Sequence, residues 1–263
     1  MKKGRIGRNI ALMVASAALL APVSAPAADP PPGLLKLIAQ RETQNAITLQ
    51  EYTYRQSVTV QEISGQGSVT GQYHEVRDIT FSPARARYEQ VVEQGRSTLT
   101  HIRLTPVDFA DIRNVQFFLL TTEKLPLYEG QYKGEETING VKCFVEYIRP
   151  KQILSTQRFF EGLIWAHESD YAIVQTEGQA VPQIETLREQ NLTPHFTTIR
   201  RQMDQQWFFP AETYADDTLF FRNWPQRIRI VIHYSDYKRF GAESTVTFGG
   251  EQPDPQPALP PPN

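Results

Sequence analysis

What most constrains this chain is a two-residue alternation of apolar and polar side chains that keeps returning along its length. Tyr52, Tyr54, Val58 and Val60 fall on one face of an extended segment. Arg55, Ser57, Thr59 and Gln61 fall on the other. That is the pattern of an antiparallel strand with one face buried. The same pattern closes the ordered part of the chain: Ile228, Ile230, Ile232 and Tyr234 face one way, Arg227, Arg229 and His233 the other, with Val231 among them.

Between these two segments, strands are expected at Gln72 to Phe81 and Arg85 to Gln94, punctuated by Gly65, Gly67, Gly71 and Pro83. From residue 127 onward the sequence reads as a meander. Asn139-Gly140 sits between strand-like runs, the dipeptide best suited to a two-residue hairpin turn. Further strands are expected at Arg158 to His167, Tyr171 to Glu177, Phe196 to Met203, Gln206 to Pro210 and Thr218 to Arg222. Residues 179–195 interrupt the meander as a long loop, a class of segment that often carries function.

Two stretches break the alternation with helical spacing. Leu34 to Glu51 places Leu34, Leu35, Leu37, Ile38, Ile47 and Leu49 on a core-facing stripe with no Gly or Pro inside it. Thr105-Pro106-Val107-Asp108 is a helix start: Thr caps, Pro suits the first turn and Asp complements the positive end. Phe109, Ile112, Val115 and Leu119 continue it, predicting a second helix from 106 to about 118. The fold class is therefore mainly β (α+β). One large curved antiparallel sheet buries its apolar face against at least two helices on its concave side.

The ends are of another kind. Lys2, Lys3, Arg5 and Arg8 precede a short apolar run, Ile10 to Leu20, and then Ala25-Pro26-Ala27. Those three parts in order read as a cleaved signal peptide, residues 1–27; the apolar run is shorter than the roughly 20 residues of a membrane span. Residues 28–33 are a Pro-rich linker, 34–249 a single domain, and 250–263 a Pro-rich tail with little to bury. Without the signal, 23 basic residues stand against 29 acidic ones, a net charge near −6. That opposes binding to nucleic acid or to an anionic membrane surface. No cysteine lies near the cut to carry a lipid, so no stable membrane anchor is expected. Cys143 is the single cysteine, so an internal disulfide is impossible and the fold must hold by its core. Alternation with Val141, Val145 and Tyr147 points Cys143 inward as a buried, inert thiol.

Catalytic chemistry finds little to stand on. There is no nucleophile elbow, phosphate loop, dinucleotide fingerprint or zinc-protease motif, and no cofactor is implied. The histidines at 74, 101, 167, 195 and 233 lack metal-ligand spacing. His167-Glu168-Ser169-Asp170 reads as a turn rather than a catalytic cluster, and Asp216-Asp217 as solvated carboxylates in a loop. Asn191-Leu192-Thr193 matches the short glycosylation pattern, which is weak evidence by itself. The aromatics are more informative. Most fill the core in the plainer reading. If the sheet curves more than two helices can fill, the remaining space is an apolar cavity. The residues that would line it are Phe109, Ile112, Phe160, Trp165, Trp207, Phe209 and Ile230.

One stretch has a family likeness. Arg158-Phe159-Phe160-Glu161-Gly162-Leu163-Ile164-Trp165, followed by Asp170-Tyr171 and the strand to Gly178, resembles the strand-turn-strand pattern of LolA/LolB-like and RseB-like periplasmic proteins. Gln206-Trp207-Phe208-Phe209-Pro210 and Asp236-Tyr237-Lys238-Arg239-Phe240 resemble their later strands. The motifs span about residues 140–240; the earlier part fits by element order. The resemblance implies an unclosed half-barrel around helices, in a periplasmic protein that is not an enzyme. Its expected partners are lipid or acylated lipoprotein, carried in an apolar cavity. A second reading is a sensor or scaffold that binds another envelope protein, and a third, disfavoured one is a lipid or cell-wall hydrolase. The missing lipid-bearing cysteine argues against the outer-membrane receptor type.

Overall fold

The protein is described here from a computed structural model, covering residues 29–154, 157–184, 191–221 and 224–240. The expected signal peptide and the Pro-rich tail lie outside the described residues.

The first helix, α1 (Leu34–Leu49), leads into β1 (Tyr52–Ile63), β2 (Val69–Phe81) and β3 (Arg87–Gln94). Then comes α2 (Pro106–Asp111), prolonged by a π-helical turn at Ile112–Gln116 and followed by a 3₁₀ turn at Leu125–Leu127. Seven strands complete the chain: β4 (Tyr128–Ile138), β5 (Val141–Pro150), β6 (Phe159–His167), β7 (Ile173–Val181), β8 (Phe196–Met203), β9 (Trp207–Phe221) and β10 (Trp224–Arg239). All ten strands form one sheet, in the order β3-β2-β1-β10-β9-β8-β7-β6-β5-β4. Every pairing is antiparallel. β3 and β4 are the two edges, so the sheet is an unclosed half-barrel.

The main core lies between this sheet and the helices. It joins Leu34, Ile38 and Ala39 of α1 and Ile112 and Val115 of the π turn to alternate residues of the strands, among them Tyr54, Val58, Ile148, Ile164, Phe209 and Ile232. Asn139 and Gly140 both have positive φ (51° and 82°) and join β4 to β5 directly, as a type I′ turn requires.

Four features differ from the sequence expectation, each for a physical reason. The inward stripe of α1 is partly polar: Glu42 and Asn45 are buried, whereas Ile47 is exposed. Glu42 accepts from Arg200 Nη1 of β8 at 2.8 Å and from Asn45 Nδ2 at 2.9 Å, so a paired charge takes the place of an apolar contact. β9 is one continuous strand where two were expected, with Asp216 and Asp217 inside it rather than in a loop. Thr213 and Ala215 are buried inward, and the outward Asp216 pairs with Arg227 (2.6 Å) and Arg229 (2.8 Å) of β10. Cross-strand ion pairs thus hold an acidic run in the sheet. The regular part of the second helix stops at Asp111. After the π turn the chain leaves helical geometry, which lets Phe117 stack on Tyr54 and Phe118 on Phe160. Cys143 is buried, but on the side of β5 opposite the helices: Phe144 and Ile148 face the main core, and Cys143 and Val145 join Trp165, Ala172, Val174 and Phe208 in a second cluster. Burial, with help from the nearby Glu136, pushes its thiol up to about 11.

A candidate cavity beside the second helix

α2 begins with reciprocal capping. The Thr105 N–H donates to Asp108 Oδ2 (2.6 Å), and the Asp108 N–H donates back to Thr105 Oγ1 (3.4 Å). One turn on, Asp111 accepts from Arg158 Nε (3.0 Å) and Nη2 (2.7 Å) at the start of β6. Asp111 also accepts from Asn191 Nδ2 (3.0 Å), while the Leu192 N–H donates to Asp108 Oδ1 (2.5 Å). Both carboxylates are buried. Burial raises both above the ordinary carboxylate range; for Asp111 the Arg158 guanidinium and Asn191 oppose it, for Asp108 the bonds from Thr105 and Leu192. α2 is therefore pinned at both carboxylates, to β6 and to residues 191–192.

Asn191 consequently has no free side chain. Its Oδ1 accepts the Ile184 N–H at 2.9 Å and its amide nitrogen serves Asp111. A glycan on that nitrogen would break the clamp.

Beside this clamp lies a cavity of about 400 Å³, within the size range of small-molecule pockets. Phe118, Leu127, Tyr128, Phe159 and Phe160 give it apolar walls, and Asp111, Asn114, Lys124, Gln157 and Arg158 give it a polar side. Phe118 and Phe160 stack with centroids 4.7 Å apart, and Tyr128 meets both Phe118 and Phe159 edge-on. The Tyr128 hydroxyl accepts the Phe160 N–H at 3.2 Å. The wall is thus fixed before any ligand arrives. Among the described residues, smaller cavities include one of about 200 Å³ around Phe220 and one of about 220 Å³ around Glu136 and Cys143.

Of the seven residues expected to line a cavity, Phe160 borders this one, although its ring is itself fully buried in the main core. Ile112, Phe209 and Ile230 are buried in the main core, and Phe109 and Trp207 pack against it. Phe109 lies under the Arg77 guanidinium and Trp207 under that of Arg41. Trp165 stands apart, in the cluster on the other face, with Nε1 donating to Glu136 Oε2 at 2.8 Å. Leu127, Tyr128, Phe159, Lys124 and Arg158 escaped the sequence reading as lining residues. The Arg-Phe-Phe triplet at 158–160 was a visible signal for part of this group, since it opens a strand with a cation and two aromatics.

The polar turn after β6 is a lock rather than a relay. Asp170 Oδ1 and Ser169 Oγ both approach the same ring nitrogen of His167, Nδ1, at 2.9 and 3.2 Å. A Ser-His-Asp relay needs the base to bridge through its two different nitrogens. Asp170 also pairs with Arg41 of α1 at 3.0 Å, tying the turn to the helix.

No protein-family model and no curated protein matches the chain. Among solved structures it is similar to a DUF1329 family protein from Desulfovibrio piger, at 13% identity and a TM-score of 0.44, over 82% of this chain and 96% of that one. It is also similar to a LolA superfamily protein from Nitrosomonas europaea (12% identity, TM-score 0.35, 77% and 94% of the chains). A chain of the Pseudomonas aeruginosa MucA/MucB complex is a third (9% identity, TM-score 0.23, 80% and 98%). At these identities the likeness concerns the fold alone.

Proposed function

We propose that the protein is a non-enzymatic binder of acyl chains that works in the periplasm after export, with the cavity beside α2 as its binding site. The observation that carries this reading is the rigid aromatic wall of Phe118, Tyr128, Phe159 and Phe160 around about 400 Å³ of space. An apolar chain laid against it leaves water at roughly 25 cal/mol per Å². Part of the family that the strand motifs of residues 158–240 resemble shuttles lipoproteins, which supports the same class of ligand, and part of it senses envelope stress. The burial of side chains such as Ile112, Phe209 and Ile232 in the middle of the half-barrel supports a site at the flank of α2 rather than along the barrel axis.

The test is titration of the protein with a fluorescent long-chain fatty acid, beside the variant Asn114→Trp. Asn114 lines the cavity and is exposed, so the larger ring fills the opening without disturbing the core. Saturable binding that the variant loses is expected. Saturable binding that the variant keeps, or no binding by either protein, contradicts the proposal.

A further inference from the structure

The cavity is not electrically neutral. Three charged side chains line it: Asp111, Lys124 and Arg158. The Asp111 carboxylate is spent on Arg158 and Asn191. Arg158 uses Nε and Nη2 on that carboxylate, but its Nη1 is buried and has no hydrogen-bond partner among the described residues. Lys124 is half-buried, and no ion pair holds it among the described residues. Burial lowers its ammonium below the usual lysine range, against the pull of Glu123 and Glu42. Glu42 itself already pairs with Arg200. Among the lining side chains one carboxylate therefore faces two cations, with Glu123 beside Lys124 but outside the lining, and Arg158 Nη1 is left without an acceptor.

We infer that the cavity takes a single-chain amphiphile with an anionic headgroup, a carboxylate or a phosphate. The headgroup meets Arg158 Nη1 and Lys124 Nζ, and the chain lies against Phe118, Phe159 and Phe160. A buried donor without a partner is costly, and an anion removes that cost through a charge-assisted bond. A neutral ligand, such as a fatty alcohol or the ester-linked chains of an acylated cysteine, brings no charge to match the surplus. This inference rests on the reading of the cavity as an acyl site. It narrows the cargo to anionic lipids.

The experiment compares dodecanoate, dodecanol and inorganic phosphate at pH 7. The proteins are the wild type, Lys124→Gln and Asn114→Trp, with thermal melting to verify that each variant folds. Lys124 is used because Arg158 also holds Asp111 in place. Dodecanoate is expected to bind the wild type about tenfold more tightly than dodecanol, as one charge-assisted contact allows. Lys124→Gln should weaken dodecanoate far more than dodecanol and so remove most of that ratio, and Asn114→Trp should weaken both ligands. Equal affinity for acid and alcohol, with both blocked by Asn114→Trp, overturns the headgroup inference and leaves the acyl site standing. Binding of both ligands indifferent to Asn114→Trp overturns the acyl site and the inference with it. Phosphate binding as tightly as dodecanoate shows a site for a free anion, and overturns the amphiphile.

Discussion

Glu146 on β5 is buried beside Leu35 of α1, and both side chains converge on Gly130 of β4. Burial alone pushes its carboxyl up to about 7. The folded state thus holds this proton more tightly than the unfolded chain, whose glutamates titrate near the ordinary value. No penalty exists below the unfolded pKa; it grows as pH rises towards 7 and is complete above it. The loss is about 2–3 kcal/mol. Glu146→Gln should therefore be more stable than the wild type at pH 8 and nearly equal to it at pH 4, by urea unfolding at both values. Equal differences at the two pH values would contradict the assignment. Asp111 poses the opposite problem, because it neutralises a buried guanidinium. Asp111→Ala should cost about 3–5 kcal/mol by leaving Arg158 unpaired, and adding Arg158→Met should restore much of it. A double variant no more stable than Asp111→Ala would show that the pair is not what holds α2.

At the scale of elements, β6 and β7 come closest where Gly162 faces Gly178. A Cβ on Gly178 would lie 2.2 Å from the Glu161 carbonyl oxygen, and one on Gly162 2.1 Å from that of Glu177. Backbone cannot give way as a flexible side chain can, so Gly178→Ala should lower stability by at least about 1–3 kcal/mol in chemical denaturation. A loss under a few tenths would mean that the strands separate freely there. Both glycines sit in the stretch that carries the family likeness, and this close approach is a physical reason for them. The strands were legible because alternation is local: β1, β5 and β10 follow directly from which residues share a face. β9 was not, because Asp216 reads as a loop residue until Arg227 and Arg229 lie beside it. The capping of α2 was legible at Thr105 and Asp108, since its partners are three residues apart. The irregular exit after Asp111 was not, since Phe117 and Phe118 answer to Tyr54 and Phe160, which are distant in sequence.

The described residues form an open sheet whose interior is largely filled, with a cavity of about 400 Å³ at one flank. Aromatic content announced a surplus of large apolar groups, and composition cannot say whether they fill a space or enclose one. Tyr54, Phe117, Tyr234 and Tyr237 stack into the interior. Phe118, Phe159 and Phe160 belong to the same buried core and also border the space beside α2. The central claim is that an amphiphile occupies this flank. Hydrogen–deuterium exchange of the whole protein, with and without saturating dodecanoate, tests it most directly. The account predicts added protection in residues 106–118, 124–128 and 157–160, with β1 and β10 unchanged. Protection confined to other segments, or none while dodecanoate is bound, would contradict it.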